Sequence, residues 1–167
     1  NESNSIFLPI KSLMDEMYAA DTSKKIRAVV QSKARAGERV TVNPPYGYLK
    51  DSSNPKNWII DPVASEVVKR IFKEAKNGKS LSEIAKGLEN DKVFKPDRHR
   101  IEIGLKPISA SSNVENLPYF WTRETLSNIL GREEYIGHTV NLRTRKKSYK
   151  DKRKVDNPKE DWLIFKN

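Results

Sequence analysis

The chain has 167 residues, 36% of them hydrophobic and 32% charged, and its formal net charge of +10 corresponds to a pI near 9.7. Such a surface attracts polyanions, and nucleic acid is the polyanion that this composition favours. No segment approaches the roughly 20 apolar residues of a membrane span, no signal-peptide pattern opens the chain, and the absence of cysteine excludes disulfides and thiolate metal sites and fits a reducing cytoplasm.

The first predicted element is a long helix, or two abutting helices, that ends at Gly37. Its apolar residues keep helical spacing in two groups, which are Ile10, Leu13, Met14, Met17 and Tyr18, and then Ile26, Val29 and Val30. Because a helix rises about 1.5 Å per residue, this one outreaches a small domain, and its apolar stripe predicts self-association. The second half has a basic set that is assigned to DNA phosphates, with an ordinary solvated face as the equal alternative: Lys24, Lys25, Arg27, Lys33 and Arg35.

Residues 37–41 have the composition of a linker, and residues 44–48 (PPYGY) predict a rigid turn that leads into a strand. Two prolines fix an extended backbone and Gly47 permits an unusual torsion, so the tyrosines of this motif point in defined directions. Tyr46 is a candidate for stacking on a DNA backbone, although tyrosines that pack inside a domain are commoner. A polar turn at residues 51–57 predicts a short β-hairpin.

Two helices follow in direct succession. Asp61 supplies an N-cap directly before a proline, and a wide apolar stripe then extends to residue 75. The second helix, at residues 80–90, opens with a capping box formed by Ser80 and Glu83. This order of helix, tight turn and helix is the first half of a helix-turn-helix unit.

A third helix at residues 122–131 echoes the second and completes that arrangement. The stretch between them, residues 92–120, is rich in charge, proline and serine and is interpreted as an insertion. Trp121 and Leu126 form a hydrophobic staple at the start of the third helix. Its opposite face offers polar side chains for reading base edges in the major groove: Arg123, Thr125, Ser127 and Asn128. Thr125, the third helical residue, has the alternative of bonding its own backbone.

Residues 135–142 alternate like a strand, residues 162–165 predict another, and the basic run 143–154 lies between them. A two-stranded wing with a basic tip beside a reading helix is the winged-helix arrangement, and a basic wing is predicted over residues 138–160. The predicted phosphate contacts of the wing and of the end of the third helix are Arg132, Arg143, Arg145, Lys146 and Lys147. The alternative is a basic loop that adds only nonspecific attraction.

Other chemistry has little support in the sequence. His99 and His138 are far apart and lack ligand spacing, and lone histidines are more often surface or packed residues than ligands. The carboxylates of the insertion are scattered, and no glycine-rich phosphate loop occurs. The sequence therefore predicts no catalytic residue, no metal site and no cofactor.

Several motifs together are similar to those of a known family. They are PPYGY at residues 44–48, WIIDPVASEVVKRIF at 58–72, NGKSLSEIAKGLEN at 77–90, and W-TRETLSNIL-GREEYIG over residues 121–137. In this order they resemble the recombinase domain of large serine recombinases, the integrases and transposases of phages and mobile elements. Residues 7–37 look like the long helix by which that family's catalytic domain dimerises and then leads into the DNA-binding part.

The resemblance implies a DNA-binding module that positions its parent enzyme on one half of an attachment site, for integration or excision. In that family a serine of a preceding domain attacks DNA to form a phosphoserine linkage, half-sites exchange by subunit rotation, and neither metal nor high-energy cofactor is needed. Nothing in the chain matches that serine domain or the family's cysteine-containing zinc ribbon, so we expect an excised piece that is inactive alone. Ala20 stands where the family often has an arginine.

The expected fold class is α+β and mainly α, with a long helix over residues 1–37 and a winged-helix-like domain with short β-hairpins over residues 38–167. The expected partners are double-stranded DNA and further copies of the chain, as a dimer through the first helix and a tetramer in the parent synapse. The expected location is the bacterial cytoplasm, on the nucleoid. Two alternatives stay open, a free-standing winged-helix transcriptional regulator and a basic architectural or RNA-binding protein without sequence preference.

Overall fold

The computed structural model describes residues 2–108, 114–151 and 153–166, with side chains from Leu8 onward. Residues 109–113 of the predicted insertion and residue 152 of the basic run lie outside the described residues. The chain forms two compact units. The helix–wing unit comprises residues 1–42 and 133–167, and the helical unit comprises residues 43–132. A domain boundary after residue 37 stays a prediction.

One continuous helix, α1 (Glu2–Arg35), opens the chain, so the alternative of two abutting helices is wrong. It ends in a Schellman motif, in which the N–H of Glu38 donates to the carbonyl of Lys33 (3.1 Å) and the N–H of Gly37 donates to that of Ala34 (3.2 Å). Gly37 has the φ of +78° that this motif requires and that side chains disfavour. The predicted end of the helix is therefore confirmed, together with its cause.

The apolar stripe predicted on α1 faces outward. Ile10 is 50% exposed, Leu13 60% and Met17 64%. In contrast, Ala34 near the end of the helix is fully buried. The N-terminal part of α1 thus presents a large apolar surface, whereas Ala34 in its last turn is packed.

A short antiparallel hairpin opens the helical unit, as predicted. Strand β1 (Tyr48–Lys50) pairs with strand β2 (Trp58–Ile60), with Tyr48 opposite Ile60. The Asp51 carboxylate accepts hydrogen bonds from the N–H (2.8 Å) and the hydroxyl (2.6 Å) of Ser53, which fixes the start of the connecting turn.

Helices α2 (Pro62–Lys76) and α3 (Leu81–Asn90) follow with the predicted caps. The Asp61 carboxylate accepts from the first two free N–H groups of α2, at 3.0 Å each. The capping box of α3 is complete, because the Ser80 hydroxyl accepts from the N–H of Glu83 and the Glu83 carboxylate accepts from the N–H of Ser80.

Helix α4 (Pro96–Glu102) lies within the predicted insertion. Its seven residues are too few for a periodic apolar pattern, so the composition alone does not reveal it. Helix α5 (Arg123–Leu130) is the predicted third helix, and the Thr122 hydroxyl caps it by accepting from the N–H of Thr125 (3.2 Å).

The core of the helical unit lies where α2, α3 and α5 pack together. Ile71, Ile84, Leu88 and Leu126 are fully buried there. Each comes from the apolar stripe of its helix, so the amphipathic patterns in the sequence select these faces for the core.

The described residues between Thr139 and Phe165 include four short strands, and this segment is named the wing after the prediction. Strand β3 (Thr139–Asn141) pairs with β6 (Leu163–Phe165), and between them along the chain β4 (Thr144–Lys146) pairs with β5 (Lys154–Asp156), both pairs antiparallel. The predicted strand over residues 135–142 is wrong in its first half, since Glu133–Ile136 form a 3-10 turn.

Leu142 separates the two ladders of the wing. It has a φ of +59°, a left-handed conformation that is uncommon outside glycine, and its carbonyl accepts a hydrogen bond from the Asn157 side-chain amide (2.7 Å). This bend explains why the alternating run of the sequence does not form one long hairpin.

The observed fold class is α+β and mainly helical, with one long helix and short antiparallel hairpins, as predicted. Across the three described stretches of the chain, no helix is both long enough and apolar enough to span a membrane.

Candidate nucleic-acid interface

The start of α5 is anchored in the helical unit. Trp121, which is 3% exposed, precedes the cap and donates its indole N–H to the carbonyl of Val93 (3.0 Å). Leu126 and Ile129 bury the inner face of the helix. The position and rotation of α5 are therefore fixed by one buried indole and two core side chains.

The outer face of α5 presents three of the four predicted base-reading residues. Arg123, Ser127 and Asn128 are all exposed. Arg123 and Ser127 are four residues apart and therefore lie on one face, with Asn128 beside Ser127. Arginine and asparagine form bidentate hydrogen bonds with guanine and adenine edges, respectively, so the face has the chemistry for reading bases in the major groove.

Thr125 differs from the other three. It is half-buried, its N–H donates to the Thr122 hydroxyl, and the two hydroxyl oxygens lie 3.1 Å apart. The side chain therefore takes part in the N-terminal cap, which is the alternative that its position in the helix allows.

Glu124 belongs to the same outer face but is not among the predicted base-reading residues. It is exposed, and its pKa is lowered by a hydrogen bond from its own backbone N–H, by the Thr122 hydroxyl and by the neighbouring Arg123. A carboxylate that stays ionised here repels phosphate but accepts a hydrogen bond from the amino group of cytosine. Its spacing from Ser127 and Asn128, three and four residues, is the signal that identifies it.

The basic residues predicted on α1 all reach solvent. They are Lys24, Lys25, Arg27, Lys33 and Arg35. Two of them are held locally, since Lys25 pairs with Asp21 (2.8 Å) and the Arg27 guanidinium donates to the carbonyl of Ser23 (3.3 Å). Exposed pairs of this kind contribute little to stability, and both side chains can exchange them for a phosphate.

The basic residues predicted in the wing fall into two groups. Arg145, Lys146 and Lys147 are exposed on and beside β4. Arg143 is instead half-buried, because its guanidinium contacts the buried Glu134 carboxylate (2.7 Å) and lies 4.8 Å from the centre of the Trp162 ring. Arg143 thus packs within the unit, and the other three present charge to the outside.

Two further candidates have mostly internal surroundings. Tyr46 is half-buried, with its ring edge-on to those of His99 (5.8 Å between centroids) and Trp121 (5.7 Å). Arg132, directly after α5, is also half-buried. In this structure the Tyr46 ring therefore contacts other rings of the helical unit, which is the packing alternative to stacking on DNA.

A buried polar pair joins α4 to α2. His99 Nε2 lies 2.7 Å from Asp61 Oδ2, while Asp61 Oδ1 caps α2. Burial raises the pKa of Asp61, but hydrogen bonds from the Ala64 N–H, the His99 ring and the Val63 N–H outweigh it and bring the pKa below its ordinary value. His99 is therefore a packed residue that joins α4 to the start of α2.

Metal binding finds no geometric support. Within residues 8–108, 114–151 and 153–166, no three histidine, aspartate or glutamate side chains lie close enough to hold an ion.

A family model described as Recombinase matches residues 62–167, which is more than half of the chain. No curated protein and no solved structure matches the chain. The matched range includes α2, α3, α5 and the whole wing, so it contains the exposed face of α5 and the basic strand β4. The chain belongs to the Recombinase family, as the resemblance to the recombinase domain of large serine recombinases predicts, and its role lies in site-specific DNA recombination.

Proposed function

We propose that this chain is the DNA-binding module of a site-specific serine recombinase and that it positions the parent enzyme on one half of an attachment site for integration or excision. The observation that carries the proposal is the two-sided character of α5 within the range that the family model matches. Leu126 and Ile129 fix the helix on the core, and Arg123 and Asn128 point away from it.

The outer face of α5 is proposed to enter the major groove. Arg123, Ser127 and Asn128 are the base-reading side chains, and each good bidentate pair contributes about 1–3 kcal/mol of discrimination against a wrong base. The N-terminal residues of a reading helix commonly contact base edges, which agrees with the position of Arg123 at the start of α5.

The helix–wing unit is proposed to supply phosphate contacts. The exposed cations proposed for this role are five on α1 and three on and beside β4, which are Lys24, Lys25, Arg27, Lys33, Arg35, Arg145, Lys146 and Lys147. Each phosphate that such a residue neutralises steepens the dependence of log K on log salt by about 0.9. Affinity should therefore come largely from this unit, and sequence preference from α5.

Self-association is proposed to occur through the apolar stripe of α1. A stripe in which Ile10, Leu13 and Met17 are each exposed by half or more is large for a surface that contacts only water. In the parent, dimers formed this way would assemble into a tetrameric synapse on nucleoid DNA, and cleavage would be the task of the catalytic serine domain that the resemblance implies.

The test is selection of binding duplexes from a random DNA pool at near-physiological salt, because it requires no knowledge of the attachment site. We expect one enriched motif that is weakened or lost in Arg123→Ala and Asn128→Ala. Lys86→Ala and Asn90→Ala, at exposed positions of α3, are the matched controls and should keep the motif. Binding without any enriched motif would contradict the proposal and favour a basic protein that binds by charge alone.

A further inference from the structure

Asn141 is the most deeply buried polar side chain of the wing, with 1% of its surface exposed. It lies at the end of β3, opposite Leu163 of β6. Its amide nitrogen donates to the carbonyls of Glu38 (2.8 Å) and Ala34 (3.4 Å), and its amide oxygen accepts from the N–H of Val40 (3.2 Å). Both N–H groups of the side chain and its oxygen are thus bonded to the backbone at the end of α1.

The same segment makes two further contacts with the wing. The Arg39 guanidinium donates to the Thr139 hydroxyl (3.3 Å), and Thr139 is on the same face of β3 as Asn141. Gly37 packs against the ring of Phe165, so closely that an added Cβ would lie 3.4 Å from it. Residues 37–41, predicted as a linker, therefore lack regular structure but are attached to β3 and β6 at successive positions.

An ion pair farther along α1 also contacts the wing, and it is weak. The Lys150 ammonium lies 2.9 Å from the Glu16 carboxylate, but both side chains are more than half exposed. Exposed ion pairs contribute little and are screened by salt. Asn141 is different, because its buried side chain makes three hydrogen bonds to the backbone of Ala34, Glu38 and Val40, and its removal would break all three at once.

We infer that Asn141 is a positioning residue that fixes the direction of α1 on the wing, so that the two present their cations as one rigid surface to one stretch of DNA. The inference extends the proposed function, and its DNA readout rests on that function. Its mechanical part does not, because it concerns only the attachment of α1 to the wing.

The direct test is the distance distribution between two nitroxide labels, measured by pulsed electron resonance on labelled chain diluted with an excess of unlabelled chain, so that distances between copies do not contribute. The chain has no cysteine, so Asp15→Cys on α1 and Glu160→Cys before β6 provide two specific labelling positions. We expect one narrow distance in the labelled chain that keeps Asn141. In Asn141→Ala we expect a broad distribution of distances instead. Asn157→Ala is the matched control, because its side-chain amide bonds Leu142 within the wing and does not reach α1.

Two results would overturn the inference. One is an unchanged narrow distance in Asn141→Ala, and the other is equal broadening in Asn157→Ala, which would indicate a general loosening of the wing. If Asn141→Ala does not fold, hydrogen exchange of the unsubstituted chain decides instead. The Val40 amide should exchange as slowly as the amides of β3. Exchange at the rate of an exposed amide would show that its hydrogen bond to Asn141 is open in solution.

DNA binding tests whether the attachment of α1 to the wing by Asn141 affects function. In Asn141→Ala the magnitude of the slope of log K against log salt should fall by about 0.9 for each phosphate contact of α1 that is lost. Asn157→Ala should keep the slope of the unsubstituted chain. An unchanged slope in Asn141→Ala would contradict a single binding surface. If the unsubstituted chain does not bind DNA at all, the proposed function fails. The distance and exchange results still test whether Asn141 attaches α1 to the wing.

Discussion

The imidazole Nε2 of His99 lies 2.7 Å from Oδ2 of Asp61, and both side chains are buried. The two residues are 38 positions apart in the sequence. Asp61 caps α2 and His99 comes from α4, so this hydrogen bond joins the predicted insertion to the start of α2.

The first prediction concerns the pH dependence of stability. Because the folded-state pKa of Asp61 is depressed below its ordinary value of 3.8, its contribution is fully present above that value and is lost as the pH falls through the folded-state pKa. Asp61→Asn keeps an N-capping oxygen but removes this titration. The unsubstituted chain should therefore be more stable than the variant at pH 6. The difference between their free energies of unfolding should shrink below about pH 4.

Urea unfolding followed by circular dichroism at several pH values measures that difference. Asp51→Asn is the control, since the pKa of Asp51 is also lowered by Ser53 but in a solvent-exposed turn, so its effect should be smaller. A difference between parent and Asp61→Asn that does not change with pH would show that the Asp61 charge does not stabilise the fold.

The second prediction separates Arg143 from Arg145. Arg143→Ala removes a charged partner of the Glu134 carboxylate, whose side chain is only 4% exposed, and should lower the free energy of unfolding by about 2 kcal/mol. Arg145→Ala removes an exposed side chain and should change stability by less than about 0.5 kcal/mol. For DNA the order should reverse, because Arg145→Ala removes a proposed phosphate contact. Equal loss of stability in the two variants would contradict this division.

The third prediction concerns Glu124. Glu124→Gln removes one negative charge from the outer face of α5, so affinity for random DNA should rise slightly. At the same time one position of the selected motif should lose its preference for cytosine, by a discrimination of roughly 1–3 kcal/mol. Glu89→Gln, at an exposed position of α3, should raise affinity to a similar extent without changing the motif. An unchanged motif in Glu124→Gln would exclude Glu124 from base reading.

The fourth prediction concerns self-association. Leu13→Glu combined with Met17→Glu places two charges in the exposed stripe of α1 and should convert an oligomer into a monomer, as measured by light scattering across a concentration series. Ser12→Glu, on the same helix but outside the stripe, should leave the mass unchanged. If the unsubstituted chain is already a monomer at every concentration, the stripe does not serve self-association in this chain.

Local signals in the sequence predict much of this fold. Caps at Asp61, Ser80 and Thr122 are each set by side chains within three residues, and the stripes that follow select the buried faces of α2, α3 and α5. The end of α1 is predicted for the same reason, since Gly37 supplies a torsion that other residues disfavour.

The parts that the sequence does not predict depend on contacts between distant residues. Arg143 looks like a surface residue by type, but its contact with Glu134 keeps it half-buried. For Tyr46 the sequence leaves stacking on DNA and internal packing open, and only the fold brings its ring against Trp121. Likewise, Asn141 reads as an ordinary strand residue until the backbone of Glu38 and Val40 lies against it. For the candidate site, the pattern predicts which face of α5 is outward, but which cations are already engaged follows only from the fold.

The measurement that tests the central claim most directly is disulfide crosslinking of α5 to the selected duplex. The chain has no cysteine, so Ser127→Cys supplies one thiol on the outer face of α5, and Ser82→Cys supplies a control thiol at an exposed position of α3. A thiol tether on a base edge should capture Cys-substituted α5 when it projects into the major groove, and not when it projects into the minor groove. Equal crosslinking from both grooves, or equal crosslinking by the α3 control, would contradict the proposal that α5 reads the DNA.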